Sequence, residues 1–280
     1  PMPSDPWSIL AILPRRTKIS RGAAGTGGGE QVLATNVDRV WIVHGLDMPL
    51  NSRRLERYLA VVWDSGATPE IVLTKGDLAE DMVATVTQVE AVAIGAPIRC
   101  VSSKDPGSVQ DLRNSVAPGC TVALLGPSGV GKSTLVNLLA GETIAATGEV
   151  RAGDRKGRHT TVRRELFRIP GGALLLDTPG MRELRVGVLD EGLKETFADI
   201  EVFAESCRFR DCRHEGEPGC AVLEAVDQGN LDSGRLASFR KLQAEAAYEL
   251  RRADPRARAA AVSEWKTAIK TMKHHPKHKN

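Results

Sequence analysis

The sequence lacks the features that would place a chain in a membrane, outside the cell or among repeat proteins. No apolar run approaches the roughly 20 residues that a membrane-spanning helix needs, and no segment has the pattern of a signal peptide. No internal repeat is found. The cysteines number only five in 280 residues, and this odd count argues against a secreted disulfide framework. We therefore expect a soluble, cytoplasmic protein with no membrane partner.

What is present is an ordinary globular composition, 41% hydrophobic and 26% charged, with room for about two domains. The charge is unevenly distributed. Residues 251–280 carry nine Lys or Arg against two acidic residues, a net charge of +7, and the rest of the chain sums to −4. A basic segment that also contains His274, His275 and His278 is typical of an arm that binds a polyanion. A solvated helix end has the same composition, so both interpretations stay open.

Short strand-like runs open the sequence at Ser8–Leu13, Gln31–Asn36 and Arg39–Val43, with the glycine-rich segment Gly22–Glu30 between the first two. Rough alternation of apolar and polar residues in the last two runs predicts part of a small antiparallel barrel. We assign residues 1–45 to it. This length is short for a complete five-stranded barrel and the chain begins at Pro1, so either its front is clipped or the barrel is minimal.

Apolar strands alternate with helices between residues 46 and 198, which predicts an α/β fold with a parallel sheet covered on both faces. The predicted order is helix Ser52–Asp64, strand Glu70–Leu73, helix Asp81–Ile94, strand Ile98–Val101, helix Ser108–Val116, strand Thr121–Leu125, helix Ser133–Ala140, a basic loop over 150–168 that ends in Glu165–Ile169, and strand Ala173–Leu176.

A complete G-x-x-x-x-G-K-S motif lies between an apolar strand and a helix, the context that a phosphate-binding P-loop requires. Glycines let successive backbone N–H groups turn toward the phosphates, and the helix N-terminus adds partial positive charge. Lys132 is expected to reach the terminal phosphates and the Ser133 hydroxyl to bind Mg²⁺. The predicted nucleotide-binding residues here are Gly126, Pro127, Ser128, Gly129, Val130, Gly131, Lys132, Ser133 and Thr134.

A second phosphate-side motif, Asp177-Thr178-Pro179-Gly180, has the form D-x-x-G at a strand end. The Asp177 carboxylate is expected to hold Mg²⁺ and the Gly180 N–H to contact the third phosphate. A four-residue motif of this kind often occurs by chance. Its position some 50 residues after the P-loop nevertheless favours a role in binding phosphate and Mg²⁺.

Two further strand ends carry residues that would read a guanine base. Thr74-Lys75-Gly76-Asp77 is similar to the N-K-x-D element of GTPases, with Thr in place of Asn, and Ser102-Ser103-Lys104 is similar to the S-A-K element. Asp77 could accept hydrogen bonds from guanine N1 and N2, which adenine does not offer. Together at successive strand ends, the two segments predict a guanine pocket.

The order of these motifs is rearranged, because Asp77 precedes Gly126 by 49 residues whereas base-reading elements ordinarily follow the P-loop. This order indicates a circularly permuted GTPase domain, which we place at residues 46–198. The alternative is a P-loop ATPase of metabolism or transport, and a third possibility is a nucleic-acid-binding module that uses GTP only as a structural ligand.

The segment after Phe197 is rich in cysteine and histidine. Cys207, Cys212, His214 and Cys220 lie within 14 residues and form the ligand set of a closed structural zinc site. The competing interpretation is a group of unrelated free thiols beside a surface histidine. Helical patterns follow at Leu236–Arg252 and Ala257–Lys273. We assign residues 199–280 to a zinc-knuckle and helical domain.

Taken together, these motifs resemble the RsgA (YjeQ) family of small-ribosomal-subunit biogenesis GTPases over nearly the whole chain. The residues that carry the resemblance are Leu13–Arg16, Ala34–Asp38, the permuted nucleotide motifs, Gly157–Thr161 and the zinc cluster. The family implies an oligonucleotide-binding (OB-type) barrel, a permuted GTPase domain and a zinc-containing helical domain. It also implies GTP or GDP with Mg²⁺, one structural Zn²⁺, and hydrolysis stimulated by the small ribosomal subunit and its rRNA. We expect a monomer.

The resemblance places Gly157–Thr161 in the first switch loop, with Thr160 or Thr161 as the Mg²⁺ ligand. Met181 follows the D-x-x-G motif where many GTPases have a glutamine that positions water, so slow intrinsic hydrolysis is expected. His159 is the catalytic candidate, because an imidazole can accept or relay a proton near neutral pH. A histidine that contacts RNA is the alternative.

Overall fold

The computed structural model of the chain describes residues 11–12, 14–22, 30–144, 165–177 and 189–253. Several predictions lie outside these residues: most of the strand Ser8–Leu13, most of the loop Gly22–Glu30 and of the basic loop over 150–168, and the helix Ala257–Lys273. Within the described ranges, no helix combines the length and the apolar character needed to cross a membrane.

A six-stranded sheet forms the centre of the molecule, with the strand order β5-β4-β3-β6-β8-β7. The first five strands in this order are parallel to their neighbours, and β7 pairs antiparallel with β8 at one edge. The strand bounds are β3 Arg39–Gly45, β4 Thr68–Thr74, β5 Ile98–Cys100, β6 Thr121–Leu125, β7 Glu165–Arg168 and β8 Leu174–Asp177. The predicted parallel α/β sheet is confirmed.

The prediction that Arg39–Val43 belongs to the N-terminal barrel is wrong. This strand, β3, lies in the middle of the parallel sheet, where Arg39 pairs with both Thr68 and Val122. Its apolar residues are buried on both faces, since Val40 and Ile42 enter one core whereas Trp41 and Val43 enter the other. A strand buried on both sides is typical of a parallel sheet, so the GTPase fold begins before residue 46.

The barrel region is described only as an antiparallel hairpin of β1 (Lys18–Gly22) and β2 (Glu30–Thr35). β2 matches the predicted strand Gln31–Asn36. Ile19 is fully buried in the same core as Val40 and Ile42, so the hairpin packs onto the sheet domain.

Helices cover both faces of the sheet. The bounds are α1 Ser52–Asp64, α2 Met82–Glu90, α3 Pro106–Asn114, α4 Lys132–Ala140, α5 Glu191–Thr196, α6 Ala198–Ala204, α7 Ala221–Asp227 and α8 Ser233–Ala253. α1 has the predicted bounds. Its start is fixed by Asn51, whose side chain accepts a hydrogen bond from the Arg54 N–H at 2.9 Å. α2 ends four residues before the predicted Ile94, where the chain tightens into turns ahead of Gly95.

The two faces have different neighbours. α3 and α4 pack on the face of Trp41 and Val43. α1 and the C-terminal helices share the opposite core, which contains Phe197 and Phe239. The C-terminal region is therefore built onto α1 rather than around a separate core.

Candidate functional site

The predicted nucleotide motifs meet at one edge of the sheet. The carboxyl ends of β3, β4, β5, β6 and β8 lie side by side, because these strands are parallel. Ligands of open α/β sheets bind at this edge, outside the carboxyl ends of the strands. We call it the nucleotide edge.

The P-loop connects β6 to α4 as predicted. Gly126 has a φ of 152°, and a Cβ atom there would lie 2.4 Å from the Val43 carbonyl oxygen, so a side chain does not fit. Lys132 is buried at the first turn of α4, and its Nζ donates to the Gly126 carbonyl at 2.7 Å. Ser133 follows it half-buried, and Thr134 is exposed. The Lys132 ammonium thus links the start of α4 to the first two residues of the loop.

Thr74 braces the P-loop. Its side chain is buried, and the hydroxyl donates to the Val130 carbonyl at 2.6 Å. The prediction placed Thr74 among the nucleotide-binding residues. The hydroxyl also lies 3.2 Å from the His44 carbonyl, so Thr74 joins the end of β4 to the P-loop and to β3.

Lys75 makes a second connection from β4 to the P-loop. Its backbone has a left-handed φ of 59°, and its Nζ donates to the Gly129 carbonyl at 2.9 Å. The ammonium also pairs with the Asp47 carboxylate at 2.5 Å. The lysine side chain therefore lies across the edge between β3, β4 and β6.

Asp77 brings the two predicted base-reading segments together. Its Oδ1 accepts a hydrogen bond from the Ser102 hydroxyl at 2.7 Å, and its Oδ2 lies 2.8 Å from Lys104 Nζ. Hydrogen bonds from Lys104 and Ser102 lower the pKa of Asp77 to about 2. The carboxylate is therefore ionised near neutral pH and can accept hydrogen bonds. Ser103 lies exposed in the same turn.

Asp177 ends β8, next to the strand that leads into the P-loop. Its side chain is half-buried, and its backbone lies opposite Glu165 in the antiparallel pairing of β7 with β8. The predicted switch residues lie outside the described residues; they are His159, Thr160, Thr161, Gly180 and Met181.

Sequence reasoning missed two residues at this edge. Asp47 pairs with Lys75, and the Ser108 hydroxyl accepts a hydrogen bond from the Ser102 N–H at 3.2 Å. Asp47 could have been found if β3 had been placed in the parallel sheet, because polar residues after such a strand fall at the nucleotide edge. For Ser108, the sequence contains no motif that would predict this hydrogen bond; only its position in the helix after the Ser102 turn brings it near the edge.

A cavity of about 570 Å³ lies beside the P-loop, between the end of β3, the start of α1 and Pro127. His44 lines it, and its Nε2 atom is buried without a hydrogen-bond partner among the described residues. Burial lowers the pKa of His44, so the imidazole is neutral at pH 7.

The predicted zinc ligands converge between α6 and α7. One ligand atom from each of Cys207, Cys212, His214 and Cys220 lies within 4.8 Å of all the others. The Cys207 and Cys220 sulfurs are 3.9 Å apart, and His214 Nδ1 is 3.4 Å from the Cys220 sulfur. A tetrahedral zinc ion with bonds of about 2.3 Å separates two sulfurs by about 3.8 Å. The four residues therefore fit the ion.

The local backbone favours this cluster. His214 adopts a left-handed φ of 58°, which turns its buried ring toward the cysteines. Burial raises the pKa of the Cys207 thiol, but hydrogen bonds from the Val222 and Ala221 N–H groups and from the Cys220 and Cys212 side chains together bring the pKa below its usual value. A thiolate is the form that binds metal. The two other cysteines, Cys100 and Cys120, are half-buried and pack against the two cores.

α1 joins the sheet domain to the C-terminal helices through ion pairs that we call the α1 seam (Glu56, Arg57, Asp199, Arg235 and Glu245). Arg235 is buried; it forms two bonds to Asp199, at 2.6 and 2.8 Å, and a third to Glu56 at 3.1 Å. Arg57 makes two bonds to Glu245 of α8, at 2.6 and 2.9 Å. The seam fixes the zinc-bearing region to the helix that starts at the nucleotide edge.

Comparison with known families and proteins agrees with this geometry. The RsgA GTPase family model matches residues 12–187. A protein of Methanosarcina acetivorans named small ribosomal subunit biogenesis GTPase RsgA is 47% identical over 88% of this chain and 67% of its own length. A protein of the same name from Opitutus terrae is 49% identical over 92% of this chain and 71% of its own length.

Two solved structures share the fold. YjeQ from Thermotoga maritima matches with a TM-score of 0.61 and 25% identity, over 84% of this chain and 77% of that one. YloQ, described as a circularly permuted GTPase, matches with a TM-score of 0.54 and 30% identity, over 76% of this chain and 69% of that one.

Proposed function

The chain belongs to the RsgA GTPase family, and from this premise we propose that it hydrolyses GTP during maturation of the small ribosomal subunit. The observation that carries the proposal is the contact of Asp77 with Ser102 and Lys104 at the same sheet edge as the P-loop. Adenine lacks the adjacent N1 and N2 donors of guanine, which a carboxylate held in this position would bind together.

Guanine recognition is assigned to Asp77. Its ionised carboxylate would accept hydrogen bonds from guanine N1 and N2, and the Lys75 stem would lie along the base. Ser102 and Lys104 hold the carboxylate in place, and the turn of Ser103 supports the base from the side of β5. Thr74 acts indirectly, by fixing Val130 of the P-loop.

Phosphate binding is assigned to the P-loop backbone, to Lys132 and to the start of α4. Ser133 and Asp177 would hold Mg²⁺, which neutralises charge on the β- and γ-phosphates when it is bound. Gly180 and either Thr160 or Thr161 would complete the contacts to the third phosphate. His159 is the proposed residue for activating water, since Met181 cannot orient water by a strong hydrogen bond; contact with RNA remains its alternative role.

Cys207, Cys212, His214 and Cys220 are proposed to hold one structural Zn²⁺. All four ligands come from the protein, so the site has no open position for a substrate. Zinc would fix the knuckle between α6 and α7.

The partner is proposed to be the small ribosomal subunit, bound through its rRNA by a cytoplasmic monomer. The positive charge of residues 251–280 supports a polyanionic partner. The hairpin of β1 and β2 is proposed to belong to an OB-type barrel.

The test is GTP turnover measured with and without purified small subunits, with ATP as the control substrate. We expect slow hydrolysis of GTP alone, a strong increase with small subunits, and little hydrolysis of ATP. Equal use of GTP and ATP would support the P-loop ATPase. Binding of GTP without hydrolysis, even with subunits, would support the nucleic-acid-binding module.

A further inference from the structure

Asp47 lies where the loop after β3 meets the guanine-reading segment. Its Oδ2 is 2.5 Å from Lys75 Nζ, and the two side chains are 30% and 29% exposed. The same ammonium donates to the Gly129 carbonyl of the P-loop. Lys75 thus links the turn after β3 to the P-loop, because its ammonium donates to a residue of each.

The turn after β3 is built to hold Asp47 in this position. Leu46 N–H donates to the Thr74 carbonyl at 2.9 Å, which ties the turn to the end of β4, and Met48 N–H donates to the Gly45 carbonyl at 3.3 Å. A Cβ atom at Gly45 would lie 2.5 Å from the Asp47 carboxylate oxygen. Glycine at position 45 therefore leaves the space that the carboxylate occupies.

Lys75 depends on such an anchor. An ammonium carries three N–H donors, and the Gly129 carbonyl takes one of them. Without its carboxylate partner, the flexible four-carbon side chain of Lys75 would sample other rotamers. Nucleotide binding would then have to order this side chain, and the loss of conformational entropy would weaken the affinity.

We propose that Asp47 is a positioning residue for guanine-nucleotide binding, which acts by holding Lys75 along the base. This inference rests on the proposed function, because it concerns the same site. Asp47 does not touch the nucleotide in this account; it sets the position of the lysine that does.

The experiment measures affinity for a fluorescent GDP analogue in the full chain carrying Asp47→Ala, Asp47→Asn or neither substitution. We expect Asp47→Ala to weaken binding about three- to tenfold, the range between an exposed ion pair and a charged hydrogen bond. Asp47→Asn keeps an acceptor oxygen and should recover part of the loss. The KM for GTP should rise with little change in kcat. Glu90→Gln, which removes one charge from the exposed end of α2, is the matched control.

A double-mutant cycle with Lys75→Met separates positioning from a general structural role. In the Lys75→Met background, Asp47→Ala should have no further effect on GDP affinity, because the group through which it acts is gone. An equal loss in both backgrounds would overturn the inference, and so would parental affinity in Asp47→Ala. A parental protein that binds GDP and ADP equally would overturn the proposed function and this inference with it.

Discussion

The nucleotide edge and the α1 seam both contain ion pairs, but they bury them to different extents. At the edge, the side chains of Asp77, Lys75 and Lys104 are 21%, 29% and 73% exposed. At the seam, those of Arg235 and Glu56 are 7% and 3% exposed. The ion pairs at the edge are therefore accessible to a ligand, whereas the Arg235–Glu56 pair of the seam is closed to solvent. The outer pair of the seam, Arg57 with Glu245, is 26% and 33% exposed and in this respect resembles the edge.

This difference separates function from stability. Exposed ion pairs contribute about 0–1 kcal/mol to folding, whereas removing one partner of a buried pair costs about 3–5 kcal/mol. Substitutions at the edge should therefore weaken nucleotide binding or slow hydrolysis in a protein that still folds. Substitutions at the seam should lower stability and leave nucleotide selectivity unchanged.

The largest effect is expected at the edge, from Lys132→Ala. Loss of the ammonium that we propose to bind the phosphates should lower the rate of GTP hydrolysis at least about a hundredfold. Lys194→Ala, which removes an exposed lysine from α5, is the control and should retain the parental rate. Near-parental turnover by a folded Lys132→Ala protein would contradict the P-loop assignment.

The next effect is expected outside the edge, from Cys220→Ser. A structural zinc ion contributes folding free energy directly, so the variant should lose the metal and unfold at a lower temperature. Metal analysis and calorimetry of protein purified without chelators measure both. Cys120→Ser, a half-buried thiol outside the cluster, should keep one zinc per chain. Parental protein without zinc would refute the metal site.

The seam itself is tested by comparing Arg235→Ala with Arg57→Ala. The first leaves Glu56 and Asp199 without their cation and should lower the free energy of unfolding by about 3–5 kcal/mol. The second breaks a pair that is 26% and 33% exposed, and should cost about 1 kcal/mol or less. GDP affinity should match the parent in both. Equal losses of stability would show that burial does not distinguish the two pairs.

The smallest effect is expected from His44, between the two regions. Because burial lowers its pKa below the unfolded value near 6.5, the unfolded chain binds its proton first as pH falls. The stability this group contributes is present above pH 6.5 and is lost below it. His44→Gln should reduce the slope of stability against pH just below 6.5 by no more than about 1.4 kcal/mol per pH unit. An unchanged slope would show that His44 titrates normally.

The sequence predicted the parts of the edge that are local. The P-loop, Asp177, Asp77 and the Ser102 turn each follow a strand whose apolar run is readable, so parallel pairing alone brings them together. The zinc ligands were equally readable, because all four lie within 14 residues.

The remaining features depend on contacts between distant residues. The rough alternation of apolar and polar residues in β3 wrongly predicts a barrel strand. Because β3 is then not placed in the parallel sheet, Asp47 is not predicted to lie at the nucleotide edge. The pairing of Arg235 with Glu56 joins residues 179 positions apart, and no local pattern in either helix indicates the other. A buried ion pair is visible only once the packing of α1 against the C-terminal helices is known.

The most direct test of the central claim, that rearranged segments build a guanine site at this edge, is a comparison of GDP and XDP binding by the parent and by Asp77→Asn. Xanthine offers a carbonyl where guanine has an amino group, so an asparagine amide N–H should donate a hydrogen bond to that oxygen. We expect the parent to prefer GDP, and Asp77→Asn to lose GDP affinity about tenfold or more and to gain XDP. Unchanged GDP affinity in a folded Asp77→Asn protein would contradict the account.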